Sequence, residues 1–108
     1  NYLGYMWADQ GVRLGEALAL IERAVELQPE NGAYLDSYAW VLYRLGRTRD
    51  AEAKLKQALD YLQDDAIVYQ HYGDILADLG RMDEAVDNWR RALDLDPENV
   101  ELKEKLKR

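Results

Sequence analysis

The 108-residue chain has no cysteine and only one histidine, His71. The absence of cysteine excludes disulfide bonds, thiolate metal sites and cysteine nucleophiles. A single histidine also excludes a metal centre built on several histidines of this chain. We therefore expect the protein to bind neither a metal ion nor another cofactor.

Positive charge is scarce relative to negative charge. The chain has 14 Lys and Arg residues and 21 Asp and Glu residues, which gives a net charge of -7. Such a chain repels nucleic-acid phosphates and anionic membrane surfaces. No apolar run reaches the ~18 residues of a membrane span, and the first ten residues lack the basic and apolar regions of a secretion signal. We expect a soluble protein with no nucleic-acid partner and no direct membrane insertion; the compartment is unknown from the sequence, and cytoplasm and periplasm are both allowed.

Proline and glycine are also rare, with two and seven residues respectively. The stretches between them are rich in Ala, Leu, Glu, Arg and Lys, which favour helix. Apolar residues recur in them at three- and four-residue steps, a pattern typical of amphipathic helices. These patterns end near Pro29, Gly46, Asp64, Gly80 and Pro97. The sequence predicts an all-α fold in which short turns make neighbouring helices antiparallel.

A repeat of 34 residues organises the chain, because the surroundings of Gly46 and Gly80 superpose at that shift. Small residues at matched positions allow helices to approach closely, and larger ones fill the remaining space. Each glycine suits a left-handed residue that closes the first helix of a pair. The matched pairs are Leu35 with Tyr69, Tyr38 with Tyr72, Ala39 with Gly73, Leu42 with Leu76, Ala51 with Ala85, Leu55 with Trp89, Ala58 with Ala92, and Leu59 with Leu93.

This pattern resembles the tetratricopeptide repeat (TPR), a 34-residue helix-turn-helix unit. The resemblance implies a right-handed superhelical solenoid of antiparallel helix pairs, with about three repeats and a terminal helix. One domain would span residues 1–108: a first repeat over 1–31 that is truncated at its start, repeats over 32–65 and 66–99, and a helix over 100–108. The run DSYAWVLYRLG resembles the C-terminal arrays of bacterial members, some of them lipoproteins. The residues that match the family pattern best are Gly73, Gly80, Ala85, Trp89, Ala92 and Pro97.

The resemblance places the first helix of each pair on a concave wall, where unpacked side chains face a groove. Family members that grip a terminal carboxylate carry Lys, Arg and Asn on this wall, whereas this chain has Asp36, Trp40, Gln70 and Asp74. We therefore expect no carboxylate clamp. Aromatic and acidic side chains instead favour an apolar peptide or helix flanked by Lys or Arg. The predicted groove residues are Tyr5, Asp36, Ser37, Trp40, Tyr43, Gln70, His71 and Asp74.

Two alternatives concern the same residues. Trp40 and Tyr43 could simply pack between helices, as aromatic residues at helical spacing usually do. Ser37, His71 and Asp74 lie on one predicted wall and have the residue types of a hydrolytic triad. However, neighbouring helices are about 10 Å apart, and no glycine-rich turn offers an oxyanion hole. We therefore expect the protein not to be an enzyme.

The main functional hypothesis is a protein-protein interaction scaffold that binds a partner in this groove. The alternative is a structural or self-assembly segment of a longer repeat array, and RNA binding is opposed by the negative charge. We also predict a homodimer through an uncovered N-terminal end, because Tyr2, Leu3, Met6 and Trp7 would be exposed there. At the other end, we expect the basic residues, including Lys105 and Lys107, to form a solvated face.

Overall fold

The computed structural model describes residue 10 and residues 13–107, and these contain helices but no strand. The fold is all-α, as the sequence predicts. The helices are α1 (Leu14–Leu27), α2 (Gly32–Arg44), α3 (Thr48–Leu59), α4 (Ala66–Asp78), α5 (Met82–Leu95) and α6 (Val100–Leu106).

Side-chain caps fix the start of three helices. The Asn31 side chain accepts a hydrogen bond from the Tyr34 backbone N–H at 3.0 Å, and Asn99 does the same for Leu102. Asp65 accepts from the Ile67 N–H at 2.9 Å. Each cap satisfies a backbone donor that the helix itself leaves without a partner.

Gly46 and Gly80 terminate α2 and α4 in the left-handed conformation, with φ of 84° and 80°. At the first turn, the N–H groups of Gly46 and Arg47 donate to the carbonyls of Tyr43 and Leu42, both at 2.9 Å. This pair of bonds is a Schellman motif, and the same pair recurs around Gly80. The predicted role of both glycines is confirmed.

The chain divides into two compact units, residues 1–62 and residues 63–108. In the first unit, α2 packs against both α1 and α3. One apolar cluster there joins Ala17 and Ile21 of α1 to Trp40 and Val41 of α2. Leu35, Leu42 and Leu55 are also buried.

In the second unit, α5 packs against both α4 and α6. The buried residues of this unit include Val68, Ile75, Leu76, Ala85, Trp89, Ala92 and, from α6, Leu102. The helix pairs α2–α3 and α4–α5 lie within the repeats predicted over 32–65 and 66–99. The grouping of residues 1–108 into one domain stays a prediction.

None of the helices in the described part of the chain is long and apolar enough to cross a membrane. Residues 10 and 13–107 also contain no cluster of three or more His, Asp or Glu side chains that could hold a metal ion.

Candidate partner-binding site

Helix α2 carries four of the predicted groove residues, Asp36, Ser37, Trp40 and Tyr43, which we call the α2 site. Asp36, Ser37 and Trp40 are 7%, 8% and 7% exposed, so helix packing already covers most of their surface. Tyr43 is half-buried. Of the four side chains, Tyr43 is therefore the one with most surface left for a partner.

Trp40 anchors the α2 site to the core of the first unit. Its indole belongs to the cluster with Ala17, Ile21 and Val41, and Tyr43 packs against the same cluster. The Trp40 and Tyr43 ring centroids are 5.0 Å apart, with an interplanar angle of 31°. Trp40 thus holds Tyr43 in place, and a variant of Trp40 would perturb packing as well as any binding.

Helix α4 carries the remaining described groove residues, Gln70, His71 and Asp74, in the second unit. The Gln70 side chain is half-buried and accepts a hydrogen bond from Asn99 Nδ2 at 3.1 Å. Asp74 Oδ1 accepts from Trp89 Nε1 at 3.0 Å and from Lys105 Nζ at 2.6 Å. Two of these three residues therefore bind the segment that contains α6.

Lys105 is the centre of this contact. Its ammonium also lies 3.1 Å from Glu101 Oε1 and 5.3 Å from the centroid of the Trp89 ring. Burial alone would lower the pKa of Lys105, but the hydrogen bonds and negative charges of Asp74 and Glu101 outweigh it and raise the pKa above its ordinary value. The expectation that Lys105 belongs to a solvated face is wrong, since its side chain is only 25% exposed.

The three triad-like residues belong to different units of the chain. Ser37 lies in the first unit and His71 in the second, and their exposed fractions are only 8% and 5%. Asp74 is committed to Trp89 and Lys105.

Five predicted site residues lie outside the described residues. They are Tyr5 of the groove and the self-association residues Tyr2, Leu3, Met6 and Trp7. Their roles stay predictions.

The family model of the tetratricopeptide repeat matches residues 38–100. The chain belongs to the tetratricopeptide repeat family. A TPR repeat-containing protein of Pseudomonas aeruginosa is 45% identical over 74 residues, which are 68% of this chain. The match spans only 12% of the length of that protein, so this TPR chain is similar to a small part of a much larger relative.

Solved TPR structures share the fold. The first TPR domain of human RPAP3 has a TM-score of 0.87 and 24% identity, with 98% of this chain and 83% of that one covered. The first TPR of Spaghetti (RPAP3), bound to the HSP90 peptide SRMEEVD, gives the same values. A thermophilic TPR protein of Thermus thermophilus covers 87% of this chain, with a TM-score of 0.76 and 28% identity; the match covers 48% of that chain.

Proposed function

We propose that this TPR chain is a protein-protein interaction scaffold that binds a peptide or helix of a partner protein at the α2 site, without catalytic activity. The observation that carries the proposal is the pairing of Trp40 and Tyr43. A half-buried tyrosine held by a buried tryptophan offers a rigid aromatic contact surface, and such residues dominate binding energy at protein interfaces.

The partner is expected to be apolar with basic flanks. The net charge of -7 favours partners that carry Lys and Arg and opposes nucleic acids. Helix α6 is an internal example of the same chemistry, because Leu102 is fully buried while Lys105 binds Asp74 and Glu101. Since Asn99 and Lys105 already engage Gln70 and Asp74, we assign the main contacts to the α2 site.

The solved complex with SRMEEVD supports peptide binding by this fold but suggests a different specificity here. The SRMEEVD peptide is acidic. By the family resemblance, Asp36, Trp40, Gln70 and Asp74 stand at the positions of the clamp residues. A carboxylate next to Asp36 would meet like charge rather than a charge-assisted hydrogen bond. We therefore propose that the α2 site does not bind an SRMEEVD-like peptide.

Selection from a random peptide library tests this specificity. The wild-type chain and the Tyr43→Ala variant are each used as bait, and Tyr61→Ala serves as the control because Tyr61 is an exposed tyrosine outside the α2 site. We expect wild type and Tyr61→Ala to enrich the same apolar sequences flanked by Lys or Arg, and Tyr43→Ala to lose them. Enrichment of acidic C-terminal sequences, or an unchanged result with Tyr43→Ala, would contradict the proposal.

The alternative function, a structural segment of a longer repeat array, is supported by two observations. The relative from P. aeruginosa is far longer than this chain. Large apolar side chains are also exposed, with Leu27 at 74% and Val100 at 67%. If the alternative holds, dilution will change the association state of the chain and added peptides will not.

A further inference from the structure

A small cavity opens in the first unit where α1 ends and α2 begins. It has a volume of about 240 Å³ and is lined by Leu20, Arg23, Ala24, Leu27, Gln28 and Tyr34, which we call the Arg23 pocket. The four α1 residues share one helical face by their three- and four-residue spacing. None of the predicted groove positions contributes to this pocket.

The rim of the Arg23 pocket is held by hydrogen bonds in the connection between the two helices. Asn31 donates from Nδ2 to Gln28 Oε1 at 3.0 Å, and its Oδ1 accepts from the Tyr34 N–H at 3.0 Å. The Gln28 N–H donates to the Ala24 carbonyl at 2.9 Å. A rim fixed in this way loses little conformational freedom when a ligand binds.

The lining is apolar with hydrogen-bond donors at its edge. Leu27 is 74% exposed, which is unusual for a leucine that has a pocket beside it to fill. Within residues 13–107, Arg23 forms no ion pair, and the Tyr34 hydroxyl forms no hydrogen bond. Gln28 accepts from Asn31 through its oxygen and keeps its NH₂ group as a donor. The pocket therefore suits an occupant with an apolar body and a negatively charged acceptor.

The volume of the Arg23 pocket limits which of these occupants can fit. Small-molecule sites usually measure about 300–1,000 Å³, so this pocket accepts little more than one side chain. The side chain and the carboxylate must then come from nearly the same point of the partner. A C-terminal residue carries both on one Cα atom, whereas Asp or Glu beside an apolar residue requires a second side chain.

We propose that the Arg23 pocket binds the C-terminal residue of a partner protein. Its apolar side chain lies between Leu20, Leu27 and Tyr34, and its terminal carboxylate pairs with the Arg23 guanidinium. Arginine binds carboxylates through two parallel N–H groups, which fixes orientation as well as charge. At physiological salt, charges beyond about 8 Å are largely screened, so the local guanidinium outweighs the net negative charge of the chain.

NMR titration of the ¹⁵N-labelled chain with matched small probes tests the proposal. The probes are N-acetyl-leucine, which mimics a C-terminal leucine, and N-acetyl-leucinamide, which has the same side chain without the carboxylate. We expect N-acetyl-leucine to shift the amides of residues 20–34 and to bind about tenfold more tightly than the amide, the effect of one charge-assisted contact. Equal affinities, or shifts confined to other residues, would overturn the proposal.

Variants distinguish Arg23 from other cations. Arg23→Ala should abolish the preference for N-acetyl-leucine over its amide, while Arg49→Ala, a change at another exposed arginine of the first unit, should leave it intact. Both side chains are exposed, and circular dichroism checks that both variants keep their helicity. Loss of the preference in Arg49→Ala, or its survival in Arg23→Ala, would count against the pocket. Tighter binding of N-acetyl-leucyl-aspartic acid α-amide, whose only carboxylate is on the Asp side chain, than of N-acetyl-leucine would overturn the terminal carboxylate as the recognised group.

Discussion

The indole of Trp89 occupies the space that a side chain on Gly73 would need. A Cβ atom added to Gly73 would collide with Cδ1 and Nε1 of that ring. The ring cannot move away easily, because Nε1 donates to Asp74 and the Lys105 ammonium lies over its face. In the preceding repeat, alanine and leucine occupy the matched positions, Ala39 and Leu55. At the matched positions, one repeat therefore combines glycine with tryptophan, and the other combines alanine with leucine.

Gly73→Ala should destabilise the second unit by roughly 1 to 3 kcal/mol, the usual cost of overpacking a filled interior. Urea denaturation followed by circular dichroism measures it. Gly15→Ala is the matched control, since no atom of the described residues lies within 4 Å of its added Cβ and alanine favours helix. The double variant Gly73→Ala with Trp89→Leu reproduces the Ala39 and Leu55 pair and should lose less than the sum of the single losses. Strict additivity would show that the two residues are not coupled.

Truncation of Trp89 should reduce the stability of the second unit more than Gly73→Ala does. The ring is 7% exposed, and Trp89→Ala removes its packing together with its bond to Asp74, for a loss of roughly 3 to 5 kcal/mol. Ala85→Leu, at a fully buried position of the same helix, should also destabilise through overpacking. Unchanged melting temperatures in both variants would mean that the repeat register is wrong.

The Lys105 contact predicts a loss of stability in alkali. Burial lowers its pKa, but Asp74 and Glu101 raise it further than burial lowers it, so the folded pKa lies above the unfolded value of about 10.4. The contribution of Lys105 is therefore complete below that unfolded pKa and disappears as the pH rises through the folded pKa. Lys105→Met should be less stable than wild type at pH 8, and the difference should shrink in strong alkali.

Urea midpoints measured from pH 8 upwards test this behaviour, with Lys107→Met as control. Lys107 is 71% exposed and pairs with the exposed Glu104 at 3.4 Å, an arrangement that contributes little. A stability difference between wild type and Lys105→Met that stays constant with pH would contradict the assigned ion pair.

How well the sequence predicts a feature of this structure depends on how far apart in the sequence the interacting residues lie. Helix caps at Asn31 and Asn99 and the turns at Gly46 and Gly80 depend on residues within one helical turn, so the sequence displays them directly. The contact of Lys105 with Asp74 joins residues 31 positions apart, and only the i,i+4 spacing of Glu101 and Lys105 hints at it.

The burial of predicted groove residues was likewise not readable from spacing. Helical periodicity assigns Asp36 and Ser37 to one face of α2 and His71 to the matching face of α4, but it does not give the depth at which neighbouring helices cover those faces. The Arg23 pocket could not be predicted for the same reason, because its shape depends on how the end of α1 packs against the start of α2.

Association through the N-terminal end stays a prediction. Trp7→Glu or Tyr2→Lys should disperse a dimer, because each introduces charge into an apolar contact. Charge changes at Lys107, in the opposite segment, should have no effect. Sedimentation equilibrium across micromolar concentrations measures the mass, and a monomer throughout would contradict the proposed dimer.

Binding at the α2 site is the central claim, and calorimetric titration of a library-selected peptide tests it most directly. The titration compares wild type with Tyr43→Ala and Tyr61→Ala, after circular dichroism has shown equal helicity. Tyr43→Ala should weaken binding by ~1 to 3 kcal/mol, whereas Tyr61→Ala should bind like wild type. Wild-type affinity in Tyr43→Ala, or an equal loss in Tyr61→Ala, would contradict the α2 site.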